Sequence, residues 1–314
     1  MEEKHFNATS LCLRCTHKLI RTKSSAEMRR KMKKVGTVII GFLIVLGAML
    51  IREVVAAIEM FGYSFYKIMS GAIEKEEMAT FVQSIVANTD LLLFISAVGM
   101  CVWIVVFGIL YNKSRKSEGK ALFEGKLTVN RVLILCLMGI GLQFFINSIL
   151  GSLIKVAPTL MESYAKVVKT LGMGNSLTSL LFVGFIAPIG EELVFRGITM
   201  NYLQKHLSFV AVNIVQAVFF GLYHLNVVQG IYAFVLGLIL GWIVKKYGSI
   251  REAILLHMAV NLSGCLVGFI MPEKILENWI GLGLLLMVSI CLLAFSGKIV
   301  KMEEVEIKMI DMVE

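Results

Sequence analysis

The chain has 314 residues, of which 57% are hydrophobic and only 17% are charged, against about 25% charged residues in ordinary soluble domains. Its mean hydropathy of +0.80 excludes a soluble globular protein and predicts a polytopic membrane protein. The whole chain contains three prolines, which leaves little room for a flexible linker. We therefore expect one membrane domain with short polar ends, and we find no evident internal repeat.

Eight apolar runs are long enough to be considered as membrane-spanning helices. The sequence places them near 35–56, 91–111, 132–156, 178–203, 209–225, 227–245, 251–271 and 277–297. The predicted fold class is therefore all-α, a polytopic membrane bundle of about eight transmembrane helices. The fifth and sixth runs almost touch, so the boundary between them is the least defined.

Basic residues fall on alternate loops of this predicted bundle. Basic residues lie before the first run, in the loop 113–131 between the second and third runs, and in the loop 245–251 between the sixth and seventh runs. By contrast, the loop 74–90 between the first two runs is acidic. By the positive-inside rule, both termini should then be cytoplasmic. The net charge of +9 follows from topology and from attraction to an anionic inner leaflet. We expect neither a nucleic-acid partner nor a cleavable signal peptide.

The six cysteines do not indicate a disulfide framework. Four of them lie inside apolar runs, where cysteine behaves as a small hydrophobe: Cys101, Cys136, Cys265 and Cys291. Cys12 and Cys15 form the pattern CLRC, with His17 nearby. This segment has two interpretations: half of a zinc site, or a reduced and solvated cytoplasmic tail. The zinc site would be incomplete, because the segment contains no second cysteine pair.

The stretch EELVFR, residues 191–196, places three ionisable groups in an apolar run. Each charge in the hydrocarbon region costs about 2.5–3.5 kcal/mol even on insertion scales, so such residues are candidates for function. Glu192 and Arg196 are four residues apart on one helix face and can pair, whereas Glu191 is rotated by about 100° and stays available. Glu191 is then a candidate base that takes a proton from water, with a pore-lining carboxylate as the structural alternative.

Two further polar patterns follow within apolar runs. His224 comes one helical turn after Phe220, and His257 and Asn261 are four apart on the next but one helix. His257 and Asn261 therefore share a face, where two hydrogen-bond donors can stabilise an oxyanion. A polar clamp between helices is the alternative interpretation. Pro188 removes a backbone hydrogen bond one turn before the carboxylates and frees a carbonyl near the site.

In this order, EExxxR, FxxxH and HxxxN resemble the CPBP family of intramembrane proteases, which includes the type II CAAX prenyl endopeptidases. The resemblance covers about 176–269 and matches every motif residue. It implies a helical bundle around a polar cavity that faces the cytoplasm. It also implies that Glu191 and His224 activate a water molecule, while His257 and Asn261 stabilise the oxyanion. From their spacing, we expect the paired Glu192 and Arg196 to hold the helix and orient Glu191.

The need for a cofactor remains open at this stage. Glu191, His224 and His257 together offer the carboxylate and two imidazoles of a three-ligand zinc site. However, the sequence lacks HExxH, and Glu191 would have to be both ligand and base unless Glu192 takes one role. We therefore expect metal-free activation of water, with zinc as the alternative.

The sequence thus predicts an intramembrane endopeptidase in a multi-pass membrane location, for which we expect a bacterial cell membrane. The expected partners are the lipid bilayer and a membrane-anchored or hydrophobic peptide substrate. We expect a basic N-terminal segment (1–34), N-terminal membrane helices (35–175), a catalytic part (176–270) and a last helix with a tail (271–314). Alternatives are a non-catalytic immunity or scaffold protein of the same fold and a proton-coupled transporter.

Overall fold

The computed structural model describes residues 3–119, 125–171, 176–270 and 278–310, together with positions 121, 123 and 275. Side chains are described from residue 27 to 303, apart from 268–270 and the gaps between those ranges. CLRC at 12–15 lies in a helix, but its side chains are outside the described set. The described part of the chain contains helices and no strand, which confirms the predicted all-α class.

Ten helices make up the bundle, taken over the described ranges. They are α1 (Glu3–Met69), α2 (Met78–Ala87), α3 (Thr89–Ser117), α4 (Val129–Val156), α5 (Pro158–Thr170), α6 (Leu177–Leu203), α7 (Phe209–Tyr223), α8 (Val227–Tyr247), α9 (Ile250–Ile270) and α10 (Trp279–Ile310). A short 3₁₀ turn, Lys75–Glu77, precedes α2. Helix α1 runs without a break through the expected boundary at 34/35, whereas α6 begins next to the expected boundary at 175/176.

Among these described residues, seven helices are long and apolar enough to cross a membrane, namely α1, α3, α4, α6, α8, α9 and α10. The expected span at 209–225 corresponds to α7, which has only 15 residues. At 1.5 Å per residue it is about 22 Å long, less than the roughly 30 Å of hydrocarbon. Helix α7 therefore forms a shorter arm of an antiparallel hairpin with α8.

Close backbone contacts hold that hairpin together. Gly221 near the end of α7 lies against Gly230 near the start of α8, where an added Cβ would be 2.7 Å from the Gly230 carbonyl oxygen. At the other end, Asn213 Nδ2 donates to the Leu238 carbonyl oxygen over 3.0 Å. Glycine at the crossing point allows the two backbones to approach, as small residues commonly do between membrane helices.

The two ends of the bundle differ in charge. At one end, Arg131 of α4 pairs with Glu252 of α9 at 3.6 Å and with Glu303 of α10 at 3.5 Å, and Tyr247 of α8 donates to Glu303. This end, which we call the basic end, also carries the cations of 113–116 and 126–131, Lys205 and those of 245–251. The N-terminal side of α1 belongs here too, because Gly41 lies against Leu203 at the end of α6.

At the other end, which we call the opposite end, α4 meets α10 and α3 meets α6. Ser148 donates to the Leu282 carbonyl oxygen over 2.8 Å, and Ser176 hydrogen bonds to Asp90. An apolar cluster of Leu150, Met161 and Val228 joins α4, the short helix α5 and the start of α8. Both ends of the described chain therefore lie at the basic end, while α5 lies at the opposite end.

Candidate active site

A cavity of about 280 Å³ lies among the helices α1 and α3 to α9. Four of the predicted site residues line it, from helices α6 and α9 and the turn after α7: Glu191, His224, His257 and Asn261. This volume accommodates several water molecules, each of which needs about 10–15 Å³ of such space. The structure thus brings together the residues that the sequence patterns singled out, at one wall of one cavity.

Glu192 and Arg196 lie behind this wall and line no part of the cavity. Arg196 Nη1 donates to Glu192 Oε1 over 2.7 Å, and both side chains are fully buried. Arg196 Nη2 also reaches the Gly237 carbonyl oxygen at 3.3 Å, and the guanidinium lies 4.5 Å from the centre of the Phe220 ring. The i, i+4 pair predicted from spacing is therefore present, and it ties α6 to α7 and α8.

His257 connects this buried pair to the cavity. Its Nδ1 lies 2.9 Å from Glu192 Oε1, while its Nε2 lies 3.7 Å from Glu191 Oε2. An Nδ1–H that donates to Glu192 fixes the plane of the imidazole and turns Nε2 toward Glu191, as a carboxylate orients histidine in many hydrolytic sites. Glu192 thus supports the cavity wall through its contact with His257.

Glu191 is the carboxylate that faces the cavity. Glu191 is 8% exposed, whereas Glu192 is 0% exposed. The 3.7 Å to His257 Nε2 is too long for a hydrogen bond, so Glu191 is not engaged in the tight pair that its neighbour makes. The adjacent carboxylates therefore have separate environments, one inside the protein and one at the cavity surface.

His224 ends α7 and reaches the same cavity from the other side of Phe220. Its Nδ1 lies 2.8 Å from the Phe220 carbonyl oxygen. A carbonyl only accepts, so Nδ1 carries the hydrogen, and Nε2 is then the acceptor nitrogen when the ring is neutral. The Phe220 ring stands edge-to-face to both imidazoles, at 5.0 Å from His224 and 5.7 Å from His257. FxxxH therefore supplies both a histidine and the aromatic spacer between two histidines.

Helix α6 departs from α-helical geometry on both sides of the carboxylates. Phe182–Ile186 and Leu193–Thr199 are π-helical, and Ala187 N–H bonds to the Phe182 carbonyl oxygen, five residues back. In this register the partner of the Val183 carbonyl would be the N–H of residue 188, which proline lacks. Asn261 Nδ2 donates to that carbonyl oxygen over 2.9 Å instead. The free carbonyl expected from Pro188 thus positions Asn261.

Arg52 of α1 is a cavity residue that the sequence patterns did not reveal. Its Nη1 donates to the Tyr223 hydroxyl over 2.6 Å, and its Nη2 pairs with Glu53 at 2.6 Å. Arg52 and Tyr223 both line the cavity with Glu191. A signal was present, since Arg52 is an ionisable residue inside the first apolar run, and such residues are candidates for function. It was overlooked because it belongs to none of the three motifs.

The three candidate zinc ligands, Glu191, His224 and His257, all line the cavity. In the ranges with described side chains, no group of three His, Cys, Asp or Glu residues is placed to hold a metal ion. The Nδ1 atoms of His224 and His257 face a backbone carbonyl and Glu192, which leaves Nε2 of each ring without a partner of that kind. Histidines that bind zinc are commonly held in the same way, with one nitrogen on a carbonyl or carboxylate and the other on the metal.

Comparison with known protein families gives one match, and it covers the part of the chain that contains this site. Residues 173–263 match a family described as type II CAAX prenyl endopeptidase, Rce1-like. The matched segment contains α6 to α8 and most of α9, and with them all six predicted site residues. No curated protein and no solved structure matches the chain. The resemblance carried by EExxxR, FxxxH and HxxxN is thereby confirmed at the level of the family.

Proposed function

Because residues 173–263 match the type II CAAX prenyl endopeptidase family, we propose that this chain is an intramembrane endopeptidase. It hydrolyses a peptide bond of a membrane-associated or hydrophobic peptide. The observation that supports this most directly is that Glu191, His224, His257 and Asn261 line one cavity. Motif residues that served only to hold helices together would be expected in separate contacts rather than around a shared space.

The reaction begins with a water molecule between Glu191 and His224. Glu191 or the Nε2 of His224 takes a proton from this water as its oxygen attacks the scissile carbonyl carbon. Because Nδ1 of His224 donates to the Phe220 carbonyl oxygen, Nε2 is the nitrogen that can accept. General-base assistance of this kind contributes about 10²–10⁴-fold to a rate. The proton then passes to the amine nitrogen as the peptide bond breaks.

The tetrahedral intermediate places negative charge on the former carbonyl oxygen. Asn261 uses one of its two amide hydrogens for Val183, so the second is available for this oxygen. His257 donates from Nε2 when its ring carries both hydrogens, because Nδ1 already faces Glu192. Each such donor is worth about 2.7–4 kcal/mol in well-studied hydrolases. This mechanism uses only residues of the chain and routes no step through a metal.

Comparison of membrane-fraction peptides from cells that express the wild type and its variants tests the proposal. Glu191→Ala and His224→Ala should abolish the new peptide ends that mass spectrometry detects with the wild type, at equal protein levels. Glu76→Ala is the matched control, because this glutamate is exposed in the turn before α2. If the Glu191 and His224 variants produce the same ends as the wild type, the protein is not this endopeptidase.

A further inference from the structure

We propose that Arg52 of α1 is a substrate-binding residue that holds a carboxylate of the peptide substrate in the cavity. The carboxylate is either the C-terminus of the peptide or the side chain of an aspartate or glutamate. The substrate class is then an apolar peptide that carries one negative charge near its scissile bond. This inference deepens the proposed function and rests on it. It adds a residue of the first helix to a site whose motif residues all come later in the chain.

Arg52 brings a positive charge to the cavity. Among the described residues that line it, Arg52 is the only lysine or arginine and Glu191 is the only aspartate or glutamate. The chain places this charge inside its first apolar run, where an ionisable side chain is costly and is a candidate for function. Arg196 lies behind the wall and pairs with Glu192, so the cation that a ligand in the cavity meets is Arg52.

The contacts of Arg52 hold its guanidinium and leave some of its donors unused. Nη1 donates to the Tyr223 hydroxyl over 2.6 Å. Nε and Nη2 both donate to one oxygen of Glu53, over 3.1 and 2.6 Å. A guanidinium has five N–H groups, so one remains on Nη1 and one on Nη2. Arginine donors of this kind form strong, charge-assisted hydrogen bonds to carboxylates.

Glu53 does not block this position. The Glu53 side chain is 65% exposed and that of Arg52 is 34% exposed. Ion pairs between exposed groups contribute little to stability, because water already solvates and screens both charges. Only one Glu53 oxygen contacts the guanidinium. A substrate carboxylate can therefore use the two remaining N–H groups or take the place of Glu53.

The surroundings of Arg52 favour a ligand with a single negative charge. The charge of Arg52 interacts with Glu53 and also with Glu191, so two carboxylates already share its field. A phosphate group would add about 1.5–2 negative charges and be repelled more strongly than a carboxylate. Much of the remaining lining is apolar, for example Ile146 of α4 and Leu171 after α5, which suits the apolar side chains of a peptide.

Tyr223 connects Arg52 to the catalytic residues. Its hydroxyl accepts the hydrogen bond from Arg52, and its ring stands edge-to-face to the imidazole of His224, with ring centres 5.3 Å apart. The rings of Trp103 and Phe195 pack against it at 6.4 and 5.5 Å, so this link is rigid. A peptide anchored at Arg52 is thereby held next to the motif residues, and positioning of this kind accelerates a reaction.

Peptide binding to the purified full-length protein in detergent tests this site without hydrolysis. All proteins carry Glu191→Gln, so that no peptide is cleaved during the measurement. The probe is an N-acetylated apolar pentapeptide in three forms: with a free C-terminal carboxylate, with a C-terminal amide, and with the amide plus one internal glutamate. Isothermal titration calorimetry gives the dissociation constant of each form. Arg52→Gln removes the proposed anchor, and Glu53→Gln is the matched control at the neighbouring position.

We expect at least one carboxylate form to bind about 10- to 100-fold more tightly than the neutral amide. Arg52→Gln should remove this difference and Glu53→Gln should keep it. The form that gains affinity identifies the source of the carboxylate. A folding defect would weaken all three forms equally, so the ratio of their affinities separates binding from structural support.

Equal affinity for the three forms, no detectable binding of either carboxylate form, or a preference that persists in Arg52→Gln would each overturn the proposal. If Arg52→Gln does not fold, Arg52→Lys keeps a charge but loses the planar fork. The preference should then be smaller than in the parent protein, and an unchanged preference would also overturn the proposal. Binding does not depend on turnover, so failure of the proposed function is read separately, from the peptide ends of the Glu191→Ala and His224→Ala variants.

Discussion

Replacement of Gly139 by alanine tests whether the contact between α4 and α9 sets the position of His257 and Asn261. A Cβ at residue 139 would lie 2.5 Å from Ala259 Cβ and 3.0 Å from both the Ala259 carbonyl carbon and the Val260 nitrogen. Two of these three atoms belong to the backbone, so no side-chain rotation relieves the overlap. The helices must instead separate.

The expected cost follows from that distance. Ordinary contacts begin near 3.4 Å, so α9 must move by about 1 Å, and overpacking of this kind costs roughly 1–3 kcal/mol. Ala259 lies between His257 and Asn261 in sequence, so the same movement displaces both. A displacement of about 1 Å at a catalytic group can reduce turnover by roughly 10²-fold. We therefore expect loss of both stability and peptide cleavage.

Gly108→Ala is the matched control, because an added Cβ at that position of α3 meets nothing within 4 Å. Alanine is favoured over glycine in a helix by up to about 1 kcal/mol, so this variant should be as stable as the wild type or more so. Thermal unfolding in detergent and the initial rate of cleavage are measured for both variants. Equal unfolding midpoints and equal rates for the two would refute the reasoning.

Three further substitutions probe the buried support and the cavity wall. Glu192→Ala leaves the fully buried Arg196 without its carboxylate, so the unfolding free energy should fall by about 3–5 kcal/mol, and an unchanged thermal midpoint would contradict the buried pair. Arg52→Gln removes the charged donor to the Tyr223 hydroxyl and should lower the unfolding free energy by about 1.5–3 kcal/mol. Thermal unfolding measures this loss, and a variant as stable as the wild type would show that this hydrogen bond is not formed. Asn261→Ala should lower kcat by roughly 10²–10³-fold as an oxyanion donor is lost, and a kcat equal to that of the wild type would exclude this role.

Local features of α6 were predictable from the sequence because helical spacing fixes them. Four-residue spacing predicted the Glu192–Arg196 pair, which the structure contains. The missing N–H of Pro188 predicted a free carbonyl near the site. The sequence did not predict which side chain donates a hydrogen bond to that carbonyl oxygen. The donor depends on the π-helical register of α6 and on how closely α9 approaches it.

The depth of His224 required tertiary information. Counted along a full-length fifth span, His224 would lie far from His257. In the structure α7 is a 15-residue arm, and the Phe220 ring lies next to both imidazoles. Hydropathy alone does not distinguish such an arm from a spanning helix, because the 209–225 run is predominantly apolar. The extent of the cavity likewise depends on α5 and on Arg52, both outside the motif region.

In the proposed reaction, Glu191 and His224 act on one shared water molecule. A double-mutant cycle on the cleavage rate of a reconstituted peptide substrate tests it most directly, with Glu191→Gln and His224→Ala made singly and together. If both residues serve the same water, the double variant should be about as slow as the slower single variant, because groups that act as a unit are strongly non-additive. Rate losses that multiply in the double variant would show that the two residues act independently and would contradict the account.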